Sequence, residues 1–406
     1  MNGENMRLSI AFVLVLLTGF TLTAGRSSAA TSSSARIAAA VNGNIILFRA
    51  DGSGRSTITH RGIDSNPITS SGPGALVAFL RTRGGFRPYD RQPRQHEVML
   101  AAPADRGGYA ATRFSFRQPV SPPSRSDLAW DLGGHSPGLF WFDGHSVVYR
   151  RASGNEHPVL AVGPPEPFRS YQPIVVSPQG VAVPLTSSPQ QAGYPRVLRI
   201  AESGFGATRE RIVTVRFRKG VLGGNQPARG SFPTGSGLTI TPDSRHFLFG
   251  TLREGAGYQL TGVFEVPVAG GIARMILGRG NGVQGYPPFG PALDGATQFE
   301  LSPNGKYLAT DPGKRFWISG QVAHPRTIPV PTGLSCALTQ WSWLPDSSGL
   351  AYVTACTTPS SPILYRVTLA AVSVHGGKPR VLYEIRSRNQ SAIDLAPVYR
   401  CVACGG

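Results

Sequence analysis

Residues 238–250 read LTITPDSRHFLFG. A short apolar-polar alternation leads into Pro-Asp, and a second apolar run follows. Three further stretches have the same form: QPIVVSPQGVAVPL at 172–185, FELSPNGKYLAT at 299–310 and WSWLPDSSGLAYVT at 341–354. Each is a strand, a tight turn built on Pro with Asp, Asn or Gly, and a returning strand, which is the pattern of a β-hairpin. The recurrence argues for an all-β array. The same residues carry no reactive chemistry, so they speak to fold and not to ligand.

Composition agrees. The chain has 406 residues, enough to bury a substantial core. Gly (50) and Pro (35) are abundant. No run longer than about ten residues keeps helical periodicity without Gly, Pro or β-branched clusters. The formal net charge is +18, almost all from Arg, since Lys occurs only at 219, 306, 314 and 378. Such a chain is drawn to anionic partners. The plainer reading is an Arg-rich surface that only keeps the chain soluble; the alternative is a protein or an anionic envelope polymer as partner. Nucleic acid is not expected, because the N-terminus reads as an export signal.

That signal is Arg7 followed by the apolar run LSIAFVLVLLTGFTL at 8–22, with Ser28-Ala29-Ala30 as a small-x-small cleavage site. Residues 1–30 are therefore read as a signal peptide and 31–35 as a Ser-rich linker. Retention of the run as a membrane anchor is the alternative. After cleavage the reading is a secreted monomer, extracellular or in the cell envelope, with no stable membrane span.

Four Cys suit an oxidising compartment. If Pro345 to Ser348 form a hairpin turn, Cys336 and Cys356 fall opposite each other on adjacent strands. Cross-strand Cβ atoms are then within about 5 Å, near disulfide reach. Cys401 and Cys404 form a C-x-x-C in the tail, 401–406. No βαβ context supports a redox motif there and no further ligands support zinc, so a local disulfide is expected, with pairing to another molecule as the alternative.

The first unit runs RIAAAV at 36–41, an Asn42-Gly43 turn, NIILFR at 44–49, a turn at 50–54 and a short strand at 55–60. The next hairpin follows in PITSSGPGALVAFL at 67–80. That wiring suits a four-stranded antiparallel unit. Asp51-Gly52, Thr57 to Thr59, Ser65-Asn66-Pro67, the turn at Gly72-Pro73-Gly74 and Leu76 to Leu80 together resemble the WD40-like (PD40-type) repeat of the TolB-like β-propellers. The turn recurs at Ser177-Pro178-Gln179-Gly180, Thr241-Pro242-Asp243, Ser302-Pro303-Asn304-Gly305 and Leu344-Pro345-Asp346. The resemblance implies one propeller domain over 36–400 and an interaction scaffold.

Returning strands are expected near Ile37, Leu76, Leu139, Val181, His246, Tyr307 and Leu350, which makes seven four-stranded antiparallel blades. IDLAPVY at 393–399 reads as an outgoing strand without a partner, and 36–41 as a returning strand without one. Their pairing would close the ring and leave no edge between them. Six blades is the alternative, with 127–150 as an insertion.

Extra length falls at 81–95, 218–237 and 278–297, and long loops on a rigid scaffold are where binding resides. The first of these, RTRGGFRPYDRQPRQ, holds Arg81, Arg83, Arg87, Arg91 and Arg94 around Phe86 and Tyr89. Arg forks and aromatic faces suit acidic polymers, which makes it a candidate anionic-partner loop. A solvated loop is the plainer reading. GNGVQG at 280–285 is followed by Tyr286-Pro287-Pro288, which cannot start the helix a dinucleotide site needs. No G-x-S-x-G elbow occurs. Asp131, His135, Asp143 and His145 gather around one hairpin, where such residues commonly shape turns. No catalytic, cofactor-binding or metal-binding residue is assigned, and no cofactor is expected. The reading leans to a non-enzymatic scaffold. An exported lyase or glycosidase on an acidic polysaccharide is the alternative, which needs acid and base groups from several units facing one channel.

Overall fold

The computed structural model describes residues 35–399 apart from 71–75, 83–95, 105–107, 115–127, 132–137, 143–145, 152–154, 162–174, 178–179, 186–195, 205–206, 217–237, Pro242, Ser244, 254–258, 279–297, 312–314, 321–325, 331–334 and 360–362. Residues 1–30, read above as a signal peptide, and the Cys401–Cys404 tail lie outside the described residues.

The described residues form strands and turns with no helix, gathered into seven sheets. The first sheet has the order Ile393–Leu395, Arg36–Val41, Asn44–Arg49, Arg55–Thr57. The second runs Val398–Tyr399, Asp64–Ser70, Val77–Thr82, His96–Pro103, Tyr109–Arg113. The third is Leu128–Asp131, Gly138–Phe142, Ser146–Arg151, His157–Ala161. The fourth is Val175–Ser177, Gly180–Leu185, Arg196–Gly204, Ala207–Arg216, with Gly271–Ile272 added in parallel. The fifth is Leu238–Ile240, His246–Arg253, Gln259–Pro267, Arg274–Gly278. The sixth is Phe299–Leu301, Tyr307–Thr310, Arg315–Gly320, Arg326–Pro329. The seventh is Cys336–Trp343, Gly349–Thr358, Leu364–Ser373, Arg380–Ser387. Residues 127–150 supply strands of the third sheet, where the six-unit reading makes them an insertion.

Burial falls from inner to outer strands. Gly349–Thr358 is buried at its first eight positions, and Arg36–Val41 at its last five. These strands are covered on both faces by neighbouring sheets, so their sequences are continuously apolar. Arg55–Thr57 is wholly exposed. Apolar seams join neighbours. Ala38, Ala40, Ile45 and Leu47 of the first sheet meet Val77, Phe79 and Met99 of the second. Ile37, Ile46 and Phe48 on its other face meet Val353, Val367 and Leu369 of the seventh. Phe316 and Ile318 of the sixth meet Trp341 and Tyr352 of the seventh. Burial pushes the Tyr352 phenol up to about 12.

The Pro-Asp turns have a common physical basis. In residues 241–246 the Thr241 hydroxyl donates to Asp243 Oδ1 (2.6 Å), which also accepts from Arg245 N, while His246 N donates to Thr241 Oγ1. The turn at 302–307 repeats this with Ser302 and Asn304. Leu344 has no hydroxyl, so in the next turn Asp346 binds Ser348 N and Oγ instead. Short polar side chains thus replace missing ladder bonds, which is why these residue types recur there. The hydrogen bond from Asn304 N to Ser347 Oγ ties two successive turns together.

One strand differs from expectation. IDLAPVY is split between two sheets. Residues 393–395 pair antiparallel with 39–41, whereas Val398 and Tyr399 pair parallel with Thr69 and Ser70. Pro397 has no N–H to continue the first ladder, and its carbonyl accepts from Thr69 N instead. The strand beginning at Arg55 also stops early, at Thr57; Thr59 turns inward and its hydroxyl accepts from Ile45 N (2.9 Å).

Candidate functional site: the end of the long intervals and its charged root

Strand order separates the connections of every sheet into two groups. In each sheet the turns between first and second strands, and between third and fourth, lie at one end. The loops between second and third strands, and the links to the next sheet, lie at the other. At the first end connections are short, the longest between strands being 71–76, 132–137 and 374–379. The strand ends that flank 83–95, 114–127, 162–174, 186–195, 217–237 and 279–298 lie at the second end. These long segments include Arg83, Arg87, Arg91 and Arg94, all outside the described residues, as are GNGVQG, His135, Asp143 and His145. Asp131 ends the first strand of the third sheet.

Arg81 is described, and it belongs to a strand, not to the loop. Its Nε donates to Asp64 Oδ1 (2.8 Å) and its Nη2 to Asp64 Oδ2 (3.1 Å). The Asp64 side chain is fully buried and that of Arg81 is 14% exposed. Arg81 also lies over the Phe79 ring, 5.6 Å from its centroid. This bidentate pair occupies the Arg81 fork. The pairing continues across the sheet. Arg81 stands opposite Glu97 on the following strand, and Glu97 Oε1 lies 3.5 Å from Arg113 Nε. Acid and base alternate along this row, so the root of the 83–95 segment is charge-compensated. A bulge between Ser65 and Ile68 shifts the register of the first two strands, so counting from the turn does not pair Asp64 with Arg81. That is why the pair escapes a sequence reading.

The inner strands carry polar groups, but these join sheets. Asp394 Oδ2 accepts from Asn66 N (2.9 Å) and its Oδ1 from Gln340 Nε2 (3.1 Å). Gln340 Oε1 accepts from Leu395 N (2.6 Å) and Ser342 Oγ from Val398 N (3.2 Å). Three sheets are stitched by one carboxylate and one amide, and Asn66 takes a positive φ of 47° to reach it. Trp343 Nε1 donates to the Glu300 carbonyl (3.1 Å), linking sixth and seventh sheets. Among the described residues no three His, Cys, Asp or Glu side chains come together in a way that could hold a metal ion, and no helix is long and apolar enough to cross a membrane.

Cys336 and Cys356 are directly opposed and joined by a disulfide. The same transverse row continues through Arg366 to Arg386. The sequence reading placed the two Cys together by hairpin arithmetic but did not extend the count to the outer strands.

No family model and no curated protein sequence matches the chain. Solved structures do resemble it. A candidate TolB from Agrobacterium tumefaciens aligns over 87% of this chain and 90% of that one, at 9% identity and a TM-score of 0.39. A chain of a mitotic checkpoint complex aligns over 82% and 89%, at 12% identity and a TM-score of 0.40. The GH74 enzyme of Niastella koreensis aligns over 88% of this chain and 60% of that one, at 9% identity and a TM-score of 0.47. At these values the likenesses carry no functional argument, and the architecture rests on the strand ladders themselves.

Proposed function

We propose that the chain is a seven-bladed β-propeller, TolB-like in its repeat, whose first blade is completed by pairing 36–41 with 393–395. It serves as a secreted, non-enzymatic scaffold at the cell envelope. It binds a protein or an anionic polymer through the end of the sheets that carries the long segments. Apolar seams between neighbouring sheets and the shared first sheet support the ring. Engagement of Asp394 in hydrogen bonds between sheets favours a scaffold over an enzyme working at the inner strands.

The observation that carries the binding reading is the inequality of the two ends. One is closed by short turns whose polar side chains are spent on their own backbone. At the other lie the strand ends that flank every long interval of sequence, and the strands on either side of the Arg-rich 83–95 carry paired charges. A rigid array with loops at one end is a common arrangement for recognition.

The test is retention of envelope proteins and of an anionic wall polymer by the immobilised chain, at low and high salt. A variant with 83–95 replaced by a short Gly-Ser linker is compared with Asp243→Asn, Asp346→Asn at the opposite end. Loss of retention with the first change alone is expected. Equal retention by all three proteins overturns the proposal.

A further inference from the structure

The outer strand of the seventh sheet has properties its counterparts lack. At eight residues, Arg380–Ser387 is longer than the outer strands of the first, second, third, fifth and sixth sheets, which have three to five. The long outer strand of the fourth sheet is partly capped, because Val215 and Arg216 pair with Gly271 and Ile272. Among the described residues nothing pairs with the free side of 380–387, and no backbone bond leaves it. An unpaired strand edge of this length is a template for another strand.

Its two faces differ. Toward the first sheet, Leu382, Tyr383 and Ile385 pack on the core, Arg55 lies over the Tyr383 ring at 5.2 Å, and Arg380 Nη1 donates to the Asp51 carbonyl. This side fixes the strand. The opposite side presents Val381, Glu384 and Arg386, all exposed, with Val381 at 58%. Arg386 stands directly across from Arg366, which is also exposed. Like charges opposed on a sheet disfavour it, and among the described residues neither has an ion-pair partner. The Cys336–Cys356 disulfide continues this row and holds its inner end in register.

We propose that this edge docks an acidic peptide as an added strand. The peptide's backbone completes the ladder of 380–387, and its carboxylates neutralise Arg366 and Arg386. Because strand side chains alternate, an acidic residue of the peptide beside Arg386 meets the Arg pair while the residues on either side of it face the first sheet. This surface is the outer strand edge of the seventh sheet and uses none of the long segments described above, so it stands or falls separately from them.

The experiment uses the full chain and a fluorescein-labelled Glu-Val-Glu-Val-Glu-Val-Glu-Val peptide, read by fluorescence anisotropy. Three comparison probes are Lys-Val repeats, the Glu-Val peptide N-methylated at every residue, and polygalacturonate as competitor. Binding of the Glu-Val peptide at low salt is expected. Arg366→Glu with Arg386→Glu should weaken it at least tenfold, and N-methylation should abolish it, because strand addition needs the peptide's N–H groups. Both substitutions are on exposed positions; if the double variant melts early, Arg386→Gln alone replaces it. A chain shortened at 83–95 should bind the peptide unchanged, which separates this site from the loop-bearing end. No binding at low salt overturns the proposal. So does equal binding of the N-methylated peptide, or displacement by polygalacturonate that is insensitive to the Arg substitutions.

Discussion

Two rows of side chains cross two sheets at the same end of the molecule, and they are built in opposite ways. In the second sheet the row is Asp64, Arg81 and Glu97, with Arg113 diagonal to the last. Signs alternate, and the inner carboxylate is fully buried. In the seventh sheet the row is Cys336, Cys356, Arg366 and Arg386, with two like charges side by side and a covalent bond in place of the inner ion pair. The first arrangement satisfies itself, and its charges are unavailable to a partner. The second leaves charge unsatisfied on an exposed edge and holds the strands together by other means. Net charge alone hides this difference: of a formal +18, what matters for recognition is which Arg lacks a carboxylate.

The comparison can be broken at several points. The largest effect is expected from Asp64→Asn, which strands a mostly buried Arg81; loss of about 3 kcal/mol is expected from the cost of an uncompensated charge, read by chemical denaturation. Arg366→Ala should cost far less. Equal costs would mean the two rows are not different in kind. Next is Cys336→Ser with Cys356→Ser. The bridge closes a sequence separation of 20, so its removal should cost about 3 kcal/mol or somewhat less. An unchanged melting temperature would show that the like-charged row needs no tie.

A smaller change should come from Arg366→Glu. It converts the seventh-sheet row to alternating signs and should stabilise by about 0.5 kcal/mol at low salt, fading as salt rises. Stability and acidic-peptide binding are then expected to move in opposite directions, a sharper result than either alone. The smallest effect concerns the seam between first and seventh sheets. Hydrogen bonding from Ser53, backbone then side chain, holds the Asp51 carboxyl below its ordinary range, with Arg49 and Arg380 adding to it. A depressed folded value means the contribution is complete above the ordinary carboxylate range and is lost as pH falls through the folded value. The carboxyl carbon shift of Asp51, followed by NMR, should therefore titrate below that of a model peptide, and Asp51→Asn should flatten the acid limb of the stability curve.

Much of the array was legible because its turns use a small vocabulary. Ser or Thr with Asp or Asn at fixed spacing caps the tight turns, and the expected returning strands near Ile37, Leu139, Val181, His246, Tyr307 and Leu350 begin within a residue of the observed second strands. The Cys pair was legible because its hairpin bulge, between Leu338 and Gln340, still leaves Cys336 opposite Cys356. The Asp64–Arg81 pair was not, because the bulge near Ser65 moves the register. Nor was the Asp394–Gln340–Asn66 stitch, whose members are separated by 54 positions in one case and 328 in another. The Arg-rich segment was read as cationic throughout, yet Arg81, its first member, is internally paired.

Local chemistry is written in adjacent residues: apolar runs, turn caps and the alternation of strands needed no partner to be read, because each depends on neighbours a few positions away. Which charges cancel, which strand edge stays bare and how the last residues divide between two sheets were decided only when distant segments met. Those outcomes depend on register and on which sheet lies alongside, and neither is contained in any short stretch of the chain.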